Sequence, residues 1–547
     1  MRDDLPARAV YAEGAGIARA IPRGVAVCAD ADDASALVRW ARETRTPLVP
    51  RGSGSGMAGG AVGQGTIVDL SRLTHVEPVD TARGRVHAQA GAVRDDVDRA
   101  ARAHGLRLPV DPSSGAFCTV GGMASTNAAG ARTLRYGSTR AWVEALDCVF
   151  DDGTRATVRR GAAPPATVPA IARFLREADR LRAAERAAPS TPPVRKCSSG
   201  YALAEWARSG ELVDLLVGSE GTLALFVAVE LSLAPVPGAT STLLAAFPSL
   251  EAAVEGAARA REQGAAACEL LDRTFLEFVA ERSPLAVREG SEAVLIAEVE
   301  GDSRRDAAAA ATALGDAVGA VGGAVTLALD VATERAIWAL RHAASPLLAT
   351  LDPALRSMQF IEDACVPPER LPAYVRGVRT ALARQDMRGV IFGHAGDGNV
   401  HVNPLVDLSR PDWRERVQRV LDEVTALVAT LDGTLSGEHG DGRLRTPLLE
   451  RVWDGRPADA LARFALVKRA FDPEGIFNPG VKVSLRGQEP LGEIRYDPAL
   501  PPLPAAARTA LSHIERVRAW NAFRLDALAA AERELAAADR DAEADGA

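Results

Sequence analysis

The segment PRGSGSGMAGGAV, residues 50–62, carries glycine or serine at seven of its thirteen positions. A loop this rich in glycine lets backbone N–H groups approach a phosphate closely and point at it. It lacks the Lys-Ser/Thr of a Walker A loop, and its spacing is not that of a dinucleotide-binding GxGxxG turn. Taken alone, roughly a third of such segments would be flexible surface loops. A second segment, VDPSSGAFCTVGGMASTNAAGARTLRYGSTRAWV at 110–143, again mixes glycine with Ser, Thr and Asn over a length too ordered for a linker. Two such segments in one domain argue for a large, extended, phosphate-containing ligand. A third, LLVGSEGTLALFVAVELSLAP at 215–235, reads as strand, GSEGT turn and strand, which suits backbone packing against a flat ring.

At 547 residues the chain exceeds one ordinary core, so about two to four domains or subdomains are expected. A net charge of −8 and a pI near 5.7 give no basic field, so no nucleic-acid partner is expected. No apolar run is long enough to span a bilayer, and MRDDLPARAVYAEG lacks the apolar core of a signal peptide, so a cytoplasmic location is expected. The cysteines Cys28, Cys118, Cys148, Cys197, Cys268 and Cys365 are scattered, form no CxxC pair, and are expected to be reduced thiols. Lysine is confined to Lys196, Lys468 and Lys482, and asparagine to Asn127, Asn399, Asn403, Asn478 and Asn521. A background bias would scatter these scarce types, yet most of them fall within the motifs described here.

Along the chain, GVAVCA and TPLVPRG read as buried strands around the amphipathic helix DDASALVRWARET. GRVHAQAGA followed by VRDDVDRAARAHG continues the rhythm, and residues 143–158 read as a hairpin with an Asp-Gly turn. LAPVPG marks a domain boundary at 236. Beyond it, STLLAAFPS, LEAAVEGAARARE and EAVLIAEVEG restart a strand–helix–strand pattern, predicting a second, α+β domain with an antiparallel sheet. Residues 332–390 read as helix-rich. DPALPPLP is a linker, and 505–540 an Ala/Arg/Glu-rich helical tail, expected to dock or fray rather than to act.

The chemistry-bearing residues concentrate further on. In IFGHAGDGNVHVN, GDGN between apolar strands predicts a tight hairpin that brings His394 and His401 toward one point. In GTLSGEHGDGRL, glycines bracket Glu438 and His439. Two histidines and a carboxylate form a three-ligand set for Zn²⁺, Mn²⁺ or a similar ion, with a position open for substrate. The bland reading of a single histidine is a hydrogen-bonded core residue; three in two Gly/Asp-rich motifs favour a site. Asn403 shares the strand face of His401. Asp397 and Asn399 are expected only to form the turn.

The three N-terminal segments, in this order, resemble the FAD-binding domain of the vanillyl-alcohol oxidase / p-cresol methylhydroxylase (PCMH) superfamily. The resemblance extends from about residue 15 to 500 and is strongest to the branch of FAD-linked D-lactate dehydrogenases, glycolate oxidase subunits and D-2-hydroxyglutarate dehydrogenases. It implies an α+β fold: a PCMH-type FAD-binding domain of two subdomains at 1–236 and an α+β substrate (cap) domain with antiparallel sheet and metal site at 237–470. A C-terminal segment would return to the flavin at 471–500, before the helical tail at 501–547. The resemblance further implies that Arg51, Gly52, Ser53, Gly54, Ser55 and Gly56 cradle the FAD pyrophosphate. Thr119, Gly122, Ser125 and Asn127 would hold its diphosphate and ribityl regions; Glu220, Gly221 and Val227 would lie near the flavin and adenine; Asn478 in FDPEGIFNPGVKV would contact the flavin. Lys196 and Tyr201 in RKCSSGYAL would approach the site. The first loop has no histidine or cysteine, so non-covalent FAD is expected.

By the same resemblance, His394, His401 and Glu438 bind a divalent metal, Zn or Mn, His439 is the catalytic base, Asn403 bonds the substrate, and Arg341 binds the substrate carboxylate through its planar fork. The implied activity is oxidation of a 2-hydroxy acid (D-lactate-like, glycolate or D-2-hydroxyglutarate) to the 2-oxo acid by hydride transfer to flavin N5. The alternatives are an FAD-linked oxidase of another alcohol or aldonic acid/lactone, or a non-catalytic FAD electron-relay subunit. QFIEDACVPPERLP resembles the corresponding segment of large D-lactate dehydrogenases with a fused Fe–S domain, and lacks the lysine of smaller relatives. With no Fe–S cysteines, electrons are expected to leave to a separate acceptor: an Fe–S protein, quinone, cytochrome or oxygen. A homodimer is compatible with this reading, and membrane association would be peripheral at most.

Overall fold

The computed structural model describes residues 1–280, 290–328, 330–343, 354–453 and 459–545. The first strands form a three-stranded parallel sheet in the order Gly24–Val27, Thr66–Asp69, Leu48–Arg51. The helix Ala31–Thr44 covers it. Asp30 caps that helix by accepting from the N–H groups of Asp32 and Asp33, and Arg45 ends it in the left-handed region. A second, four-stranded antiparallel sheet follows, ordered Arg85–Gln89, Leu225–Ser232, Val143–Val149, Arg155–Arg159.

The remaining large sheet is antiparallel throughout. Its path runs Ala324–Leu327, Ala239–Phe247, Ala293–Gly301, Ala267–Asp272, Arg388–His394, Asn399–Asp407, Leu355–Ser357, and Ala364–Cys365 also pairs with Asn399–Asp407. Alternation along Ala239–Phe247 shows why both faces are covered. Leu243, Ala245 and Phe247 join the core that includes the helices Leu250–Glu262 and Arg304–Gly319. Leu244 and Ala246 join a second core with Phe275, Ile337 and Phe392 on the other face. The expected helix-rich stretch at 332–390 holds helices Val331–His342 and Leu371–Arg384, but two short strands lie between them. Its residues 344–353 lie outside the described residues. Strands of two and three residues carry no readable period, and only their pairing with Asn399–Asp407 defines them. Among the described residues, no helix is long and apolar enough to cross a membrane.

The two halves of the molecule interlock through backbone loops. The Glu220 carboxylate accepts the N–H groups of Asp441 at 2.7 Å and Gly442 at 2.9 Å. Lys482 Nζ lies 2.9 Å from Glu220 and 3.1 Å from Asp441, and its side chain is fully buried. Gly442 sits at φ +51°, and a Cβ there would meet Ala58 O at 1.9 Å, so only glycine permits this approach. Arg443 donates to the carbonyls of Gly59 and Gly60 and to Asn478 Oδ1.

Removing one partner of a buried ion pair strands the other's charge, at a cost of about 3–5 kcal/mol. Lys482→Met should therefore lower unfolding free energy in urea by about that amount. A loss below about 1 kcal/mol, the worth of an exposed pair, would show that Lys482 does not hold the two halves together.

Candidate functional site

Strand register assembles the core of the site. Phe392 opposes His401, and His394 opposes both Asn399 on one neighbour and Glu269 on the other. His394, His401, Asn403 and Glu269 therefore share one sheet face, the face of Phe392. The turn after the helix Trp413–Thr430 brings Glu438 and His439 over that face. Glu438 Oε1 lies 3.4 Å from His394 Nε2, 3.3 Å from His401 Nε2 and 3.4 Å from His439 Nε2. The two strand histidines are 3.4 Å apart at Nε2. A tetrahedral ion with bonds of about 2.0–2.1 Å would separate its ligand atoms by about 3.3–3.4 Å. His394, His401 and Glu438 thus fit a divalent ion without rearrangement.

The opposite ring nitrogens are tied down. His394 Nδ1 meets Glu269 Oε1 at 2.5 Å, and His401 Nδ1 meets the Glu362 carbonyl at 3.2 Å. Such partners fix the tautomer that leaves Nε2 free for an ion. His439 Nδ1 lies 2.7 Å from Glu362 Oε1, which also accepts from Arg445 at 2.6 Å. Asp363 anchors the turn: it accepts from Ser436 Oγ at 2.7 Å and from the N–H groups of Glu438 and His439. His401 and His439 also approach Glu362 and Asp363, but those carboxylates are already committed to Arg445, His439 and the turn. We therefore assign the ion-competent set to His394, His401 and Glu438.

Charge balance supports this. Glu269, Glu362, Asp363, Asp397 and Glu438 face Lys196, Arg341, Arg445 and the solvent-exposed Arg195. With acids in excess, His394 and His439 are drawn toward their cationic forms. Burial lowers the pKa of His394, but Glu269 and Glu438 outweigh it and raise it to about 9. Burial opposes the charge on His439 too, yet Glu362 and Asp363 push it well above the usual imidazole range. Burial would raise Glu438, but Lys196 and His394 hold it well below the carboxylate range. A bound cation would supply the positive charge that protons otherwise supply.

One cavity of about 1800 Å³ joins this cluster to the glycine-rich loops. Ordinary small-molecule pockets are about 300–1,000 Å³, so an extended ligand fits. Its walls include Arg51, Gly52, Ser53, Gly54, Ser55 and Gly56, then Thr119, Gly122 and Ser125, then Glu220 and Gly221. His394, His401, Asn403, Glu438, His439 and Arg341 line the same space. A Cβ on Gly52 would meet Thr119 Oγ1 at 2.4 Å, whereas one on Gly56 would meet nothing within 4 Å. The loop is thus braced on one side and bare toward the cavity, which fits a cradle for phosphate.

Three residues expected to touch the cofactor are not part of the cavity wall. Val227 packs into the core with Val68 and Leu225, at an irregularity of its strand where Phe226 pairs with Cys148 and Ala228 with Asp147. Asn127 caps the helix Val120–Thr126 and accepts from Arg140 N. Asn478 donates to the carbonyls of Gly60 and Glu220, bracing the loops from behind. The Arg51 guanidinium likewise binds the carbonyls of Tyr11, Glu13 and Ala61. Lys196 reaches Glu438 Oε2 at 3.0 Å, while Tyr201 bonds Thr222. Arg341 Nε donates to Glu269 at 2.6 Å, and its guanidinium lies over Phe392. Asp397 and Asn399 do more than form the turn: Asp397 faces Lys196 at 3.5 Å, and Asn399 donates to Asp363.

Sequence reasoning missed Glu269, Glu362, Asp363 and Arg445. The available signal was an acid inside an apolar run: Glu269 in ACELLD, and Glu362 and Asp363 in QFIEDACV. A strand buried on both faces tolerates a charge only where a partner waits.

A glycine-lined cavity for an extended phosphate ligand, ending at a polar His/Glu cluster, is the layout of a cofactor-dependent enzyme. Residues 22–159 match the family described as FAD binding domain, and residues 236–481 match FAD linked oxidases, C-terminal domain. The glycolate oxidase subunit GlcD of Bacillus subtilis is 29% identical over 84% of this chain and 89% of its own. The D-2-hydroxyglutarate dehydrogenase of Pseudomonas putida is also 29% identical, over 87% of this chain and 50% of that protein. Among solved structures, an alkyldihydroxyacetonephosphate synthase shares the fold, with a TM-score of 0.60 at 16% identity over 87% of this chain and 81% of that one. The chain belongs to the PCMH-type FAD-linked oxidase family and is an FAD-linked oxidoreductase.

Asp363→Asn keeps the shape of the turn's anchor but presents N–H where acceptors are required. It should cost about 1–3 kcal/mol for each turn N–H left unsatisfied, read as a lowered urea midpoint. An unchanged midpoint would remove Asp363 as the anchor.

Proposed function

We propose that the chain oxidises a 2-hydroxy acid to the corresponding 2-oxo acid. One observation carries the reading: three imidazole Nε2 atoms gather within 3.4 Å of one carboxylate oxygen, on the wall of the cavity whose far end is the phosphate cradle. The names of the similar proteins, acting on glycolate and D-2-hydroxyglutarate, support the substrate class. FAD, held without a covalent link along the Gly52–Gly56 loop, would supply the acceptor, at N5, for the hydride on the substrate's Cα. A divalent ion, Zn²⁺ or Mn²⁺, held by His394, His401 and Glu438 would polarise the α-hydroxyl and lower its pKa.

The remaining steps fall to this chain's side chains. Arg341, at the cavity wall, receives the substrate carboxylate, for which a guanidinium is geometrically suited. Asn403, on the same sheet face as His401, supplies a further hydrogen bond to the substrate. His439, once a bound cation has displaced the proton that the surrounding acids favour, would take the hydroxyl proton at Nε2. Its Nδ1, held at 2.7 Å by Glu362, keeps that tautomer and stabilises the imidazolium that results. Glu362 is held in turn by Arg445, so the base stands on a fixed support. Reoxidation of the bound cofactor would fall to a separate acceptor.

Anaerobic addition of glycolate, D-lactate or D-2-hydroxyglutarate should bleach the bound flavin, with the L-enantiomers inactive. Bleaching by none of them would favour the electron-relay reading. His439→Ala should retain FAD and lose about 10²–10⁴ in kcat; near-normal turnover would remove it as the base. Glu269→Gln, which replaces the charged partner of His394 Nδ1 with a neutral amide, should weaken ion affinity by about 10–100-fold in a chelator competition. An unchanged affinity, or full activity in metal-free protein, would refute the ion site.

A further inference from the structure

Beyond residue 481, where the family match ends, two helices fold back on the first domain: Ala505–Val517 and Arg524–Asp545. Leu503, Ala507, Leu511, Leu528 and Ala531 form one core with Ala7, Val10 and Tyr11 of the first helix. This tail does more than dock. Arg518 and Trp520, in the turn between its helices, line the same cavity as the glycine-rich loops. Arg518 lies over Phe117, another wall residue.

Arg524 follows that turn and is 3% exposed. Its guanidinium sits between two wall residues, over the Trp520 ring at 5.2 Å and donating through Nη2 to Ser53 O at 3.5 Å. Nε and Nη1 are buried with no acceptor. No carboxylate forms an ion pair with it among the described residues. The nearby charged and titratable groups are all engaged: Tyr11 donates to Asp69, Arg51 binds loop carbonyls, and Glu13 faces Arg19 at 4.0 Å. Burial, together with the neighbouring Arg51, lowers the pKa of Arg524 to about 9. A buried guanidinium without a counter-charge is costly, and its free donors match an anion carrying several acceptor oxygens.

We propose that the tail is a wall of the cofactor cavity and that Arg524 supplies a cation to the diphosphate of FAD at the Ser53 loop. This rests on the reading of residues 50–62 as the FAD pyrophosphate cradle. The recognised chemistry is a diphosphate, which a free nucleotide would share, so both sources enter the test.

Apo-protein would be titrated with FAD, ADP and riboflavin, for wild type and Arg524→Met, following flavin fluorescence and heat of binding. Arg524→Met should weaken FAD and ADP by about 10-fold or more, as expected for a charge-assisted bond. Riboflavin, which has no phosphate, should bind within about twofold of wild type, and Arg524→Lys should recover part of the loss. Should the Met variant fail to fold, Arg524→Gln should give the same ordering. Unchanged FAD affinity, or equal losses for riboflavin and FAD, would overturn the proposal and leave Arg524 a packing residue. ADP weakened while FAD is untouched would also overturn it, in favour of a separate nucleotide. Wild type that binds neither FAD nor riboflavin would overturn the cofactor reading itself.

Discussion

The buried Glu220 carboxylate, accepting two backbone N–H groups from Asp441 and Gly442, joins the two ends of the chemistry. On one side is the GSEGT turn of the first domain, with Glu220 at φ +53° and Gly221 at φ +67°. On the other is the turn that carries Glu438 and His439. Group transfer between a bound cofactor and a substrate depends on sub-ångström placement, and a misplacement of about 1 Å can cost about 10²-fold. Two glycine-rich loops meeting through apolar contact alone could slide. Directional bonds to named N–H groups, neutralised by Lys482, fix their relative position and leave no donor unsatisfied.

The two ends of the cavity obtain their rigidity differently. The histidine cluster stands on a sheet, where register sets which side chains meet: a one-residue slip would send His394 and His401 to opposite faces from Glu269. The cradle stands on loops, so its support is distributed among Arg51, Arg443, Asn478 and Arg524, each bonding a carbonyl of the 50–62 loop.

Much of this was legible in the sequence. The glycine-rich loops, the hairpin at GDGN and the convergence of His394, His401 and Glu438 followed from spacing and residue type, and the antiparallel second domain from its strand–helix–strand rhythm. What was not legible depends on contacts across large separations: Glu269 with His394, 125 residues apart, and Lys196 with Glu438, 242 apart. No local period encodes these. The short strands Leu355–Ser357 and Ala364–Cys365 were hidden for a related reason, since an edge strand of two or three residues is defined by its partner. Val227 was assigned to the ligand because its motif was read as a unit, whereas a strand irregularity between Phe226 and Ala228, which no local period encodes, leaves it packed in the core.

These long separations also constrain how the cavity can form. The strand pair bearing His394 and His401 is a local hairpin and can assemble early. The cradle is different. Its loop at 50–62 is braced by Arg443, Asn478 and Arg524, which lie 384, 418 and 471 residues from their loop partners. Such contacts bear the largest loop-closure cost and are met only after the intervening domain has folded. Apart from Arg51, the N-terminal domain therefore holds the residues that line the glycine-rich part of the cavity without holding those that brace them, and that part is complete only when residues 443–524 have docked.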